Sequence, residues 1–406
     1  MSELEKLNPE FVKSYRMLLL FLRFNFIDIM NQMSDMPYFK YCYLLMFSIY
    51  TLALICHISG ILEKISKGAN LLQLSGDLSA AVVILQGSIL FMNIYFNKNK
   101  IKKFILRLGL EWRDDNNLRP ELVMLKRKQL RAVYVFTFAF YTGLNIFVHS
   151  YMMIPLIYKM IKKFILKLEV SHTVPFYAKV PFNYENNFLL YLIVYMYDYG
   201  IMYNLGYLIS ADILLITVSM NNIRILFQLL GDDFKSIFNS LKNGNTPRSH
   251  GVIEKHLITT VRRHITLLEL MQELSTAFNG IFAIHLIFVS GTICFFGFAA
   301  VFGGTLEDYK NFVASVIVIV YIFFCCLHGQ HLADSGLDIA TSVYDSAWYQ
   351  LPTKYKKIIL IILLRSQKTY YIKSTSFTEI SLKTFTRMMN MTWTFFSLMK
   401  TIYKTS

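Results

Sequence analysis

Apolar residues gather into seven windows, near 38–62, 71–96, 129–158, 188–219, 274–301, 309–330 and 378–403, with polar stretches between them. About twenty apolar residues is what an α-helix needs to cross the ~30 Å hydrocarbon core of a bilayer, so each window predicts a membrane-spanning helix. Ahead of the first window, Phe11, Tyr15, Leu18, Leu19 and Leu22 recur at three-to-four spacing. They predict an amphipathic helix, either lying on the membrane surface or packed under the bundle. The charged stretch from Arg224 to Arg263 is broken at Gly244-Asn245-Thr246-Pro247, the composition of a flexible loop. Helix is expected to resume near Ile253 and to run to Val301 without a proline. That exceeds one bilayer thickness, so its first half must project from the membrane and find partners there. Residues 337–366 supply candidates: Leu337, Ala340, Tyr344 and Trp348 share one helical face, and Ile358–Leu364 is too short to cross a membrane and too apolar for water.

Composition agrees with this pattern, at 55% apolar, 16% aromatic and 17% charged residues over 406 positions. The net charge of +15 would suit nucleic acid if the basic residues gathered on one soluble face. Instead Lys and Arg lie between the apolar runs, which argues against nucleic acid as a partner. They crowd Lys6–Arg23, Lys98–Arg131, Arg224–Arg263 and Lys354–Lys373, which are alternate connections, and thin out in the others. By the positive-inside rule those stretches are cytoplasmic, so the amino terminus is expected inside and, after seven spans, the carboxyl terminus outside. G-protein-coupled receptors have the opposite orientation. All five cysteines lie in apolar runs, leaving none for a loop disulfide. Met1–Glu10 is polar and partly acidic, unlike a cleavable signal or a transit peptide, so the first window is expected to serve as its own insertion signal.

Candidate chemistry is sparse. The second window carries Asp77, Gln86 and a run of small residues suited to close helix contact in lipid. In the third, Phe140, Gly143 and Phe147 form a notch between aromatic rings that suits a small apolar ligand, and Val82 of the second window is placed with them. A connection with His172, Pro175, Pro181 and Tyr184 is expected to fold over the mouth of the bundle. The fourth window repeats tyrosine every four residues, at Tyr191, Tyr195, Tyr199 and Tyr203. This stripe is either a ligand face, with Tyr195 and Tyr199 at its centre, or an interhelical seam. Asp77, Asp198 and Asp212 are scattered along the chain with no adjacent His or Lys, which argues against an enzyme. No repeated halves with broken helices suggest a transporter. His328, His331 and Asp334, three apart, are weak metal ligands; neither metal nor cofactor is expected. The last window is spotted with Thr, Ser and Met, poor material for facing lipid. There Met391, Thr394, Leu398 and Thr401 form one stripe with Ile402 beside it. Copies around an axis would close an apolar ring of Leu398 and Ile402, which blocks ions by dewetting, while Thr394 and Thr401 offer hydroxyls to hydrated cations. Lys400 points away from that stripe.

From Tyr321 to Ser406 the chain carries a Gly329-Gln330 turn closing the sixth span, Ser335, Tyr344-x-x-x-Trp348-x-x-x-Pro352, the Lys/Arg-flanked Ile358–Leu364 and Ser381-Leu382-x-x-Phe385. Together these motifs resemble the insect odorant receptor family; the rest of the chain matches by layout. The resemblance implies an all-α, seven-transmembrane subunit of an odorant-gated non-selective cation channel in the plasma membrane of an olfactory neuron dendrite. It implies assembly with a shared co-receptor through an intracellular anchor, here Leu337, Tyr344 and Trp348, and binding of small volatile organic molecules. It also places Leu398 and Ile402 at the family's apolar gate, and Thr401 where the co-receptor carries an amide. The related gustatory branch predicts Thr-Tyr followed by Gln-Phe in the last span, whereas this chain has Thr392-Trp393 and no Gln-Phe. The expected organisation is a cytoplasmic arm (1–37), helices one to four holding the ligand (38–219), a cytoplasmic loop with the inner part of helix five (220–273), helices five and six (274–330), an anchor segment (331–376) and a pore helix (377–406).

Overall fold

The computed structural model describes residues 6–30, 36–167, 174, 176–184, 187–243, 247–303, 308–346, 348–350, 352–374 and 378–405. His172, Pro175, the break residues Gly244, Asn245 and Thr246, and Phe377 at the start of the pore segment lie outside the described residues. The fold is a bundle of long helices: α1 (Pro9–Phe24), α2 (Pro37–Ser66), α3 (Leu71–Leu110), α4 (Pro120–Met160), α5 (Phe188–Asn243), α6 (Pro247–Phe302), α7 (Asp308–Tyr344), α8 (Thr353–Ser366) and α9 (Leu382–Thr405). Of these, α2 to α7 are long and apolar enough to cross a membrane. The 24 residues of α9 reach roughly 36 Å at 1.5 Å per residue, which is also enough, but its Thr, Ser, Asn, Lys and Arg keep it less apolar.

Helix α1 starts at an Asn8 cap, whose side chain accepts the Glu10 N–H at 2.9 Å, with Pro9 in the first turn where no donor is needed. Phe11, Tyr15, Leu18 and Leu22 are buried, and the Tyr15 hydroxyl lies 3.0 Å from Ser219 Oγ of α5. The helix is therefore packed into the bundle, the second of its two expected settings.

At 56 residues each, α5 and α6 run to roughly 84 Å, far beyond the ~30 Å hydrocarbon core. For α6 this extension was expected. For α5 it overturns the loop placed over 220–243, and the reason is legible in the chain. Met220, Ile223, Phe227, Leu230, Phe234 and Ile237 alternate three and four apart, and all are buried. Charge between these positions masked the period, since the charged residues occupy the opposite face.

Helix α7 likewise runs straight through Gly329-Gln330, where a turn was expected. Gly329 serves a close approach instead: a Cβ there would fall 2.5 Å from the carbonyl oxygen of Ile380. The chain before α9 thus lies directly on α7, in a short antiparallel pairing of Lys373 with Glu379. Because α7 ends at Tyr344, Trp348 belongs to a separate short 3-10 turn, Trp348–Gln350, and does not extend the face of Leu337, Ala340 and Tyr344.

The basic end is stitched by ion pairs from the α3–α4 connection. The buried Lys126 ammonium meets Glu10 at 2.6 Å, Asp115 at 2.9 Å and the Arg113 carbonyl at 2.8 Å, over the Trp112 ring. Its hydrogen bond holds the Asp115 carboxyl below the usual carboxylate range. Arg113 and Arg263 share Asp233 at 2.9 and 3.0 Å, joining the α3–α4 connection to the projecting halves of α5 and α6.

Candidate functional site

A cavity of about 160 Å³ opens between α3, α4, α5, α6 and α7. On α4, Phe140, Phe147 and Tyr151 reach it together because seven- and four-residue steps return to one helical face. Met202 and Ile209 of α5, Phe296 of α6 and Val318 of α7 complete an apolar wall. Phe176, from the connection before α5, closes one side and stacks on Tyr151 with ring centroids 5.5 Å apart. That connection is held down by several bonds. Asp77 accepts the Tyr177 N–H at 2.7 Å and pairs with Lys64 at 2.5 Å, and the Lys179 N–H donates to the Cys56 carbonyl at 3.0 Å. Gly60 leaves room for it, since a Cβ there would fall 2.8 Å from the Tyr177 carbonyl oxygen. The expected fold-over of this connection is thus seen for its described part. The cavity volume is close to the ~150 Å³ of an apolar protein cavity that takes a benzene-sized guest.

A polar cluster borders the cavity. His285 of α6 is buried, with Nε2 3.1 Å from Asp212 Oδ1. With Asp212 ionised its oxygen accepts, that nitrogen carries the proton and Nδ1 is left as an acceptor. Nδ1 in turn faces the Gln86 amide nitrogen at 3.1 Å and the Tyr321 hydroxyl at 2.7 Å. The Tyr321 hydroxyl is also 3.1 Å from the Ile209 carbonyl, so its one proton has two acceptors within the protein. Both Gln86 and Tyr321 line the cavity. A buried group of this kind fixes side-chain orientation, because any unmade bond in the interior is costly.

Of the residues predicted for the ligand, Phe140 and Phe147 line the cavity and the others do not. Val82 turns toward Gly291 of α6, and its neighbour Val83 faces the cavity instead. Gly143 is exposed, and a Cβ built there meets no atom within 4 Å. Tyr195 is buried against α4, with its hydroxyl donated to the Met152 carbonyl, while Tyr199 bonds the His149 ring and Tyr207 bonds Asn145. The tyrosine stripe is thus a seam between α4 and α5. Sequence reasoning missed Tyr151, Met152, Phe296 and Tyr321; of these only Tyr151, one four-residue step beyond Phe147 on α4, carried a local signal.

The aspartates are not isolated. Asp77 has Lys64, Asp198 has His57 at 3.8 Å, and Asp212 has His285, each on a different helix from its partner. Spacing along one chain cannot show pairs made across helices. Among the described residues no cluster of His, Cys, Asp and Glu could hold a metal ion. His328 Nδ1 lies 2.8 Å from the Phe324 carbonyl of its own helix.

Helix α9 packs Met388 and Thr392 inward, and Phe396 and Tyr403 against the Phe298 and Phe302 rings of α6. Met391, Thr394, Leu398, Thr401 and Ile402 are all exposed, Leu398 at 55% and Ile402 at 50%. Both threonine hydroxyls donate to carbonyls four residues back, at 3.0 Å. In the anchor segment Leu337 and Trp348 are half-buried and Tyr344 is 68% exposed. On α8, Tyr355, Ile359, Ile362 and Leu363 are buried, whereas Leu360, Ile361 and Leu364 face outward.

The family model described as 7tm Odorant receptor matches residues 70–393. Among curated proteins, odorant receptor 85d of Drosophila melanogaster is 26% identical over 84% of this chain and 81% of its own length. Odorant receptor 85b of the same species is 27% identical over 58% of each. Among solved structures, the olfactory receptor OR5 of Machilis hrabei, determined in complex with eugenol, superposes with a TM-score of 0.77. That match covers 96% of this chain and 98% of the other at 16% identity, a likeness of fold.

Proposed function

This chain belongs to the 7tm odorant receptor family, and from that membership we propose that it is an odorant-tuned subunit of a ligand-gated, non-selective cation channel. The observation that carries the reading is the apolar cavity of about 160 Å³ enclosed by α3 to α7 and closed by Phe176. A pocket that is nearly all hydrocarbon and aromatic surface binds small volatile organic molecules by burial and dispersion. The relative determined with eugenol offers a ligand of that class for its own fold.

Three further features support a channel. The exposed Met391, Thr394, Leu398, Thr401 and Ile402 stripe of α9 lines the pore when copies surround an axis, and Leu398 with Ile402 forms its apolar gate. Tyr344, Leu360, Ile361 and Leu364 leave apolar surface at the basic end, where water would otherwise have to cover it; this is the docking face for the co-receptor and the other subunits. The crowding of Lys and Arg at that end supports a cytoplasmic setting for it and for the amino terminus, with the carboxyl terminus outside the cell.

The test is electrical. The chain is expressed with and without the shared co-receptor, and current is recorded against a panel of volatile organic compounds. Cation current evoked by at least one compound, present with the co-receptor and absent for the co-receptor alone, is expected. A complex that reaches the surface and passes no current for any compound, in cells where another odorant receptor does respond, overturns the channel reading.

A further inference from the structure

Among the described residues, the side-chain oxygen of Gln86 is a polar atom at the cavity left without a hydrogen bond. Gln86 is 97% buried, being 3% exposed, and its amide nitrogen faces His285 Nδ1 at 3.1 Å. Its carbonyl oxygen makes no hydrogen bond among the described residues, and the side chain borders the cavity. The orientation of the amide is not free. Asp212 fixes the proton of His285 on Nε2, so Nδ1 accepts, and only the amide nitrogen of Gln86 can face it. The oxygen is thereby left for whatever fills the cavity.

The hydroxyls around it cannot serve that oxygen. Ser210 donates to the Gly206 carbonyl at 2.7 Å, Thr292 to the Phe288 carbonyl at 2.9 Å, and Tyr151 to Asn311 Oδ1 at 3.1 Å. Tyr321 has its proton between Ile209 and His285. The second N–H of Gln86 is the one amide donor left beside its carbonyl. A guest that displaces water from this place must replace the hydrogen bonds water made there, or binding weakens.

Resting on the reading of this cavity as the odorant site, we propose that Gln86 is a specificity-determining residue that selects small ligands bearing a hydroxyl group, with His285 and Asp212 as positioning residues that aim its amide. A hydroxyl donates to the carbonyl oxygen and accepts from the remaining N–H. A ketone, aldehyde or ether does only the second, and a hydrocarbon does neither. The volume of about 160 Å³ sets the ligand near the size of one substituted ring.

Benzyl alcohol, benzaldehyde and ethylbenzene share the ring and the number of non-hydrogen atoms, and their substituents differ in the hydrogen bonds they can make. Their equilibrium binding is measured by ligand-observed NMR on nanodiscs holding the full-length chain with its co-receptor, after subtraction of co-receptor nanodiscs. Benzyl alcohol should bind about tenfold more tightly than ethylbenzene, the worth of one well-made neutral hydrogen bond, with benzaldehyde between them. Gln86→Leu should erase that order while ethylbenzene still binds. Where Gln86→Leu lowers the yield, Gln86→Met, which keeps the length of the side chain, gives the same comparison. Equal binding of the three compounds to the native chain, or an order that survives both substitutions, overturns the role of Gln86 and leaves the cavity as a ligand site. Failure of all three to bind removes the cavity reading as well, and this inference with it.

Discussion

Two stripes in this molecule look alike in sequence and differ in the fold. The tyrosines of α5 and the Thr/Leu stripe of α9 both repeat at helical spacing, and both mix apolar bulk with hydroxyls. In the structure Tyr191 and Tyr195 are buried, Tyr195 against α4, and the hydroxyls of Tyr195, Tyr199 and Tyr207 reach Met152, His149 and Asn145 of that helix. Leu398 and Ile402 of α9 stand half exposed, beside threonines whose hydroxyls bond back into their own helix. The first stripe has been used to hold the bundle together. The second leaves apolar surface that assembly must cover, or that must line something wet. Periodicity marks a face as special, and only packing tells whether its demands are met within the chain.

The sharpest way to break this comparison is Tyr195→Ala. Deleting a buried aromatic ring costs on the order of 3–5 kcal/mol, so surface protein should fall steeply in a cell-surface labelling assay. Normal surface amounts with an altered ligand order would return Tyr195 to the odorant site. Next in size is Leu398→Ala on the exposed stripe. Resting cation current should rise severalfold at unchanged surface density, because a wider apolar ring wets more readily. A leak equal to that of the native chain, with an equal dose response, takes Leu398 out of the gate.

The outer faces at the basic end extend the contrast. Tyr344→Ala combined with Leu364→Ser should change the stability of the lone chain by no more than about 0.5 kcal/mol per site, as is usual for exposed positions. Co-purification of the co-receptor should nevertheless drop, and full recovery of the complex would show that neither side chain holds it. The smallest effect belongs to Tyr199→Phe, which removes one hydroxyl from the half-exposed part of the seam. Half-maximal ligand concentration should move by no more than about threefold, near the lower bound for a single hydrogen bond. A larger move would make Tyr199 part of the ligand site.

Much of the architecture follows from local pattern. Seven windows became seven long helices, and the spacing of Phe11, Tyr15, Leu18 and Leu22 located the buried face of α1, because an α-helix places residues three and four apart on one side. The same rule, applied to Met220, Ile223, Phe227, Leu230, Phe234 and Ile237, would have extended α5 through its charged stretch. Membership of the family was legible in the motifs after Tyr321, and two of the three notch residues, Phe140 and Phe147, line the cavity.

What a linear pattern could not determine is which groups meet across helices. The pairs Asp77–Lys64, Asp198–His57 and Asp212–His285 join residues from 13 to 141 positions apart, and nothing local in the chain signals them. Whether Gly329 bends the chain or admits a neighbour is likewise settled by Ile380, which lies beside it only in the folded molecule. The chemistry of the cavity has the same origin. Gln86 reads in the sequence as one polar residue in an apolar helix, and it becomes a directed acceptor because His285 and Asp212, from two other helices, hold its amide nitrogen away from the space its oxygen faces. Sequence specifies which faces must be buried through the geometry of a single helix. The tertiary fold specifies what each face meets, because that depends on the relative rotation and depth of helices that are remote along the chain.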